Sequence, residues 1–190
     1  MGRHDEALAE IRRAADSDPL SLIVNSVEAY LLYMARRYDE SIEQCRKVID
    51  LDANFPEVYI YLKRALDEKG SFEEAVDARQ ARRRLLGLAS ERSPALQLAA
   101  STTDRVTYWQ KRLEQELEES RTEGLLPFDM AEILAQAGDR AAALDWLERA
   151  CAEGDFMTVT VHVIPTLDPL RAEPRFRALL ARGCAIHPAR

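Results

Sequence analysis

The sequence repeats one pattern of residue types at intervals of 34 positions. Each of the first three repeats carries a turn residue, an acidic pair, and then a small residue followed by an apolar one. The turn residues are Gly2, Arg36 and Gly70, and the small residues are Ala7, Ser41 and Ala75. Gly138 and Ala143 keep the same phase 68 residues beyond Gly70 and Ala75, which is twice the interval. A fixed interval of this size predicts a chain built from stacked copies of one structural unit.

Each unit has the pattern of two amphipathic helices. Apolar residues recur three positions apart, as in Leu8 with Ile11 and Ile42 with Cys45. This spacing places them on one face of a helix, where they can pack against the next helix pair. The segment DSDP (16–19) ends the first helix, because a proline cannot continue one. The small residue of each repeat allows two helices to cross closely.

This period, with its glycine turn, acidic first residues and small residue, resembles the tetratricopeptide repeat (TPR) family. The resemblance implies an all-α, TPR-like right-handed superhelical solenoid of antiparallel helix pairs. The segments VTYWQKRLE (106–114) and LDPLRAEPRFRALLARG (167–183) further resemble the C-terminal TPR region of bacterial multidomain regulators. In those proteins the tail is a capping helix after a proline-rich turn, and here Pro174 would open it.

Departures from the period divide the chain. Trp109 occupies a small-residue position, and two backbones cannot approach closely around so large a side chain. Pro94 interrupts the preceding helix. The stripe Val106, Trp109, Leu113 and Leu117 still predicts a helix that packs on one face. We therefore expect regular TPR-like repeats in 1–89 with the first helix of the first pair missing, an irregular helical joint in 90–121, a TPR-like repeat in 122–155, and an irregular segment with the capping helix in 156–190.

Two stretches leave alternatives open. The helix over 2–19 has the pattern of the second helix of a pair. Either the chain continues from a longer protein, or another molecule covers this edge, or a terminal repeat is simply atypical. Thr158–Ile164 alternates like a short strand, but the sequence offers no second strand, so a short helical or irregular segment is favoured.

Charge and composition exclude several classes of function. The formal net charge of −7 argues against nucleic-acid binding. No stretch approaches the roughly 20 apolar residues that cross a bilayer, so no membrane partner is expected. Three cysteines, far apart and odd in number, favour a reducing compartment and a cytoplasmic protein. Cys45 and Cys151 are interpreted as buried thiols and Cys184 as an exposed one.

The sequence contains no pattern typical of an enzyme. Its seven glycines form no phosphate-binding loop, and no metal-ligand or nucleophile motif occurs. His4, His162 and His187 lie far apart in the sequence. We therefore expect no catalytic residues, no cofactor and no metal.

The TPR resemblance implies a concave surface, lined by the first helix of each pair, that holds a protein or peptide ligand. Carried onto this sequence, the partner-binding residues are Ser26, Tyr30, Tyr33, Met34, Ile60, Arg64, Asp67, Glu68 and Phe128, with Glu132 and Gln136 beside Phe128. The two tyrosines could instead only pack between helices. The predicted function is a non-catalytic protein interaction module, the regulatory C-terminal part of a larger bacterial protein. The alternative is a structural self-assembly module that forms a homodimer through residues 1–19.

Overall fold

The computed structural model describes residues 3–88, 93–102, 104–123 and 126–184, and these ranges are helical with no strand. The predictions that concern Gly2 and His187 fall outside them. The chain divides into two compact units, Gly2–Thr103 and Asp104–Arg190, and this division falls inside the segment 90–121. The all-helical class predicted from the period is confirmed for the described residues.

The N-terminal unit consists of helices that pack in chain order. Each of α1 to α4 contacts the next helix along the chain, and α5 contacts α6. The first helices of two successive pairs, α2 and α4, also contact each other. The helices are α1 (His4–Ser17), α2 (Leu22–Met34), α3 (Tyr38–Leu51), α4 (Pro56–Lys69), α5 (Phe72–Leu85) and α6 (Pro94–Ala100). The packing in adjacent pairs follows the predicted scheme, while the right-handed superhelical solenoid itself stays a prediction.

The turn position of the repeat adopts a left-handed backbone. Gly70 and Gly138 end helices with φ of 77° and 93°, a conformation that glycine tolerates because it has no Cβ. Arg36, in the same position of its repeat, has φ of 62° and is the one non-glycine with positive φ among the described residues. The backbone at the turn position is therefore left-handed even in the repeat that has arginine there instead of glycine.

The small-residue position of the repeat lies where helices cross. Ser41, Ala75 and Ala143 are all fully buried. The Ser41 hydroxyl donates a hydrogen bond of 2.8 Å to the backbone carbonyl of Ala29 on the facing helix. Full burial at all three positions leaves no exposed space for a larger side chain.

The C-terminal unit begins with the longest helix and ends in the capping helix. The helix α7 contacts α8, α8 contacts α9, and α10 packs on α9. Two short 3₁₀ helices replace the considered strand, and the second contacts α8. The elements are α7 (Arg105–Glu123), α8 (Pro127–Ala137), α9 (Arg140–Glu153), the 3₁₀ helices Phe156–Thr160 and Pro165–Leu170, and α10 (Pro174–Arg182). The short helical alternative and the start of a helix at Pro174 are both confirmed.

The predicted apolar stripe of α7 is interrupted. Trp109 is buried together with its neighbour Tyr108, whose ring centroid lies 5.4 Å away. Val106 and Leu117, at the two ends of the stripe, are exposed. The prediction that this helix packs on one face is confirmed by its contact with α8, and burial on that face is concentrated around the tryptophan.

The cysteines differ from the sequence-based expectation. Cys45 is fully buried with a free thiol, as predicted. Cys151, near the end of α9, forms a disulfide with Cys184, just after α10, with their Cα atoms 5.1 Å apart. The interpretation of these two residues as free thiols is wrong, because the fold brings together residues 33 positions apart. The pairing also weighs against the reducing compartment inferred from the cysteine count.

Candidate partner-binding surface

Most of the predicted partner-binding residues lie on two helices that contact each other. Four come from α2 and four from α4: Ser26, Tyr30, Tyr33, Met34, Ile60, Arg64, Asp67 and Glu68. The ninth residue, Phe128, is buried in α8 of the C-terminal unit. The structure therefore brings eight of these residues together on a face that we call the α2–α4 face.

Aromatic rings connect the two helices of the α2–α4 face. The ring centroids of Tyr30 on α2 and Tyr61 on α4 are 4.8 Å apart and tilted by 32°. Tyr30 also stacks on Tyr33 at 6.4 Å, and Tyr33 contacts Tyr38 at 6.1 Å. Such offset ring pairs contribute about 0.5–1.5 kcal/mol beyond the area they bury. The tyrosines therefore help to hold adjacent repeats together.

Charged groups on α4 are drawn into the protein. Arg64 and Asp67 are both buried. The Lys63 Nζ lies 2.9 Å from the Asp67 Oδ2, one helical turn away. A buried carboxylate needs such a partner, since leaving it unpaired would be strongly unfavourable. This ion pair therefore stabilises the buried charge of Asp67 beside the predicted binding surface.

Only part of the α2–α4 face is open to a partner. Ser26, Tyr33 and Met34 are buried, so contact with them would require the chain to move. The Ser26 hydroxyl is also engaged, because it donates to the carbonyl of Ile23 at 2.9 Å. The predicted residues that keep partial exposure are Tyr30, Ile60 and Glu68. These three, with Tyr61, form the accessible part of the face.

The surroundings of Tyr61 shift the pKa of its phenol. Burial raises the pKa of Tyr61 above its ordinary value of 10.0, while the nearby charge of Arg64 opposes this increase. The side chain is therefore neutral at physiological pH. It presents an apolar ring and a hydroxyl, a combination suited to a surface that a peptide can cover.

Tyr61 and Lys63 were missed by the sequence reasoning. Tyr61 lies three residues before Arg64, which had been selected, and residues three apart share a helix face. This spacing could have identified it. Lys63 lies four residues before Asp67, a spacing at which a lysine and an aspartate can pair on one helix face, so the sequence could have identified it as well.

The positions selected beside Phe128 form a polar network inside the C-terminal unit. The Thr166 hydroxyl donates to the Glu132 Oε1 at 2.5 Å. The Gln136 amide donates to the Thr166 carbonyl at 2.7 Å, and the Arg105 guanidinium donates to the Gln136 Oε1 at 2.6 Å. Glu132, Gln136 and Thr166 are buried. These contacts join α8 to the second 3₁₀ helix, which is a structural role.

A shallow depression of about 210 Å³ lies at the turn between α2 and α3. It is lined by Arg36, Arg37, Tyr38, Asp39, Glu40 and Lys69. Arg37 donates to Glu40 at 2.6 Å, and Lys69 forms an ion pair with Asp39. Opposite charges are therefore matched within the depression itself, and it does not present a concentrated charge to a ligand.

Comparison with family models and with curated proteins found no match for this chain. Within the described part of the chain, no three His, Cys, Asp or Glu side chains are grouped as metal ligands would be. No helix among the described residues has both the length and the apolar character needed to span a bilayer.

Proposed function

We propose that this chain is a non-catalytic protein interaction module of the TPR kind. Its α2–α4 face would hold a peptide or an extended segment of a partner protein. The helices would act as a rigid wall, and the partner would carry any chemistry. The proposal rests on the 34-residue period together with helices that pack in adjacent pairs.

The contact between Tyr30 and Tyr61 is the observation that favours this face. The two rings lie 4.8 Å apart on different helices and both keep partial exposure. Tyrosine brings a large contact area with few rotatable bonds, so little entropy is lost when a partner covers it. The neighbouring Ile60 is also partly exposed and adds an apolar contact. A peptide with an apolar anchor fits this chemistry.

Selection of a peptide and affinity measurement on variants test the proposal. A displayed library of random peptides is selected on the wild-type chain, and the recovered peptide is titrated by fluorescence anisotropy. Tyr30→Ala and Tyr61→Ala should each weaken binding about tenfold or more, as expected for an anchor worth at least 1.4 kcal/mol. Tyr33→Ala is unsuitable, because Tyr33 is fully buried and its loss would disturb the fold.

Glu10→Ala, on the exposed side of α1, is the matched control. It should leave the affinity unchanged, and circular dichroism should show the same helical content in all variants. Equal affinity of the wild type, Tyr30→Ala and Tyr61→Ala would reject the α2–α4 face as the binding site.

Self-assembly is the second candidate function, and one observation favours it. Leu20 and Ile23, at the junction of α1 and α2, are 71% and 68% exposed. Within residues 1–19, the apolar side chain of Leu8 is buried in the chain itself and cannot form a contact with a second copy. A self-association surface would therefore centre on Leu20 and Ile23. Light scattering over a range of concentrations tests it: a dimer that Leu20→Ser and Ile23→Ser dissociate supports self-assembly, and a monomer rejects it.

A further inference from the structure

The disulfide joins two helices at the C-terminal end of the described chain. Cys151 lies two residues before the end of α9, and Cys184 lies two residues after the end of α10. Both residues keep partial exposure. A small thiol can therefore approach the bond from solvent, which distinguishes it from a disulfide inside a core.

Few other contacts hold α10 in place. Of its nine residues, only Phe176 and Leu179 are buried. Arg175 forms ion pairs with Asp145 and Glu148 on α9 at 2.7 and 2.8 Å. These side chains are substantially exposed, and ion pairs of this kind contribute little. An isolated helix of nine residues is also marginal in water. The covalent bond is therefore a large part of what keeps α10 on α9.

We propose that Cys151 and Cys184 form a reversible redox latch that controls the docking of the capping helix α10. In the oxidised state the disulfide closes the end of α9, the two 3₁₀ helices and α10 into one loop. Reduction by two molecules of a small thiol gives two cysteine thiols and one molecule of the small-molecule disulfide. Oxidation by a small-molecule disulfide such as oxidised glutathione reverses the reaction. Each direction moves two electrons and two protons between the protein and the thiol pair.

Release of α10 uncovers apolar surface in the C-terminal unit. Phe176 is fully buried in the docked state, as are Leu147 and Ala150 on α9. When the latch opens, α10 is retained by non-covalent contacts, which include an ion pair between Arg140 and Glu173 at 3.1 Å, and it leaves α9 more often. The redox state of one bond thereby sets how often this apolar face is exposed.

The third cysteine provides an internal reference. Cys45 is fully buried on α3, and burial raises the pKa of its thiol to about 12. Because the thiolate is the reactive form, Cys45 is inert at neutral pH. Reduction should therefore create two reactive thiols at Cys151 and Cys184, while Cys45 stays unlabelled.

Hydrogen exchange on the full chain tests the latch. The protein is equilibrated with reduced or oxidised glutathione, its thiols are alkylated, and peptides are analysed by mass spectrometry. We expect a Cys151–Cys184 cross-linked peptide only in the oxidised sample. We also expect the amides of α10 to exchange at least tenfold faster after reduction, with those of α2 to α4 unchanged.

Two variants complete the test. The double variant Cys151→Ser, Cys184→Ser should show fast exchange in α10 under both conditions, and Cys45→Ser should behave like the wild type. Should the double variant not fold, the reduced and oxidised wild type still give the comparison. Equal exchange of α10 in the two wild-type samples would overturn the proposal, and so would an oxidised sample without the cross-linked peptide.

Discussion

The hydroxyl of Ser41 donates a hydrogen bond of 2.8 Å to the backbone carbonyl of Ala29, which joins α3 to α2 where both residues are fully buried. This contact requires the two backbones to lie close together. In the next repeat the corresponding residue is Ala75, which is also fully buried. The repeat therefore depends on residues that are small enough for helices to cross, and this dependence can be measured.

Replacing Ala75 with leucine should overpack the crossing. A side chain with three additional carbons has no space there, so the helices must separate or the side chain must adopt a strained rotamer. We expect the free energy of unfolding to fall by about 1–3 kcal/mol. Chemical denaturation followed by circular dichroism measures this change.

The matched control is Glu73→Leu, which introduces the same side chain two residues earlier on the exposed side of α5. Its effect should stay within about 0.5 kcal/mol. Equal stability of Ala75→Leu and the wild type would show that the position is not a close crossing and that the repeat register is wrong.

The period was sufficient to predict the helices, because each repeat carries its own turn and its own small residue. Gly70 and Ala75 specify local geometry that needs no distant partner. The disulfide could not be predicted in the same way. Its two cysteines meet only because α10 folds back on α9, and no local pattern encodes that contact. The exposed ends of the α7 stripe were missed for the same reason.

The sequence predicted that α2 and α4 lie side by side, but not which of their side chains are accessible. The period places Tyr30 and Arg64 at equivalent points of successive repeats, and α2 and α4 do lie side by side. Periodicity cannot distinguish a side chain that faces a partner from one that packs inside the chain. Tyr33 and Asp67 are both buried, and Asp67 has a lysine partner. Whether the face binds a partner stays a prediction.

Replacing Arg36 with glycine should stabilise the protein. Arg36 has φ of 62°, a conformation that costs a residue with a Cβ roughly 1–2 kcal/mol. Glycine removes this strain but gives the unfolded chain more freedom, which offsets about 0.5–1 kcal/mol. We expect a net increase of about 0.5–1 kcal/mol in the free energy of unfolding, measured by denaturant titration.

Arg37→Gly provides the contrast for this prediction. Arg37 has an ordinary φ of −89° and donates to Glu40. Glycine there relieves no strain and removes the ion pair, so stability should decrease. A loss of stability in Arg36→Gly as large as that in Arg37→Gly would contradict the strain argument.

Replacing Thr166 with valine should remove one hydrogen-bond donor from a buried carboxylate. Valine has nearly the same shape as threonine, so the change removes the hydrogen bond to Glu132 and little packing. Loss of a hydrogen bond to a buried carboxylate should lower the free energy of unfolding by about 1–3 kcal/mol. Thr160→Val is the control, because the Thr160 hydroxyl donates only to a backbone carbonyl in a half-buried turn. A change no larger than that of Thr160→Val would show that the network contributes little.

The contact between Glu148 and Arg175 should make the capping helix sensitive to acid. The hydrogen bond from Arg175 lowers the pKa of Glu148 below its ordinary value of 4.5. A carboxyl whose pKa is lowered in the folded state contributes stability above its unfolded pKa and loses it as the pH falls through its folded pKa. Because both side chains are more than a third exposed, solvent screening limits the contribution to under about 1 kcal/mol.

Glu148→Gln should therefore be slightly less stable than the wild type at pH 7, and the difference should shrink below pH 4.5, because protonation removes the ion pair from the wild type as well. Thermal unfolding at pH 7, 5 and 3 measures this convergence. Glu73→Gln, exposed on α5, is the control and should give the same difference from the wild type at each pH. A difference between Glu148→Gln and the wild type that does not change with pH would mean that the charge of Glu148 does not hold α10 on α9.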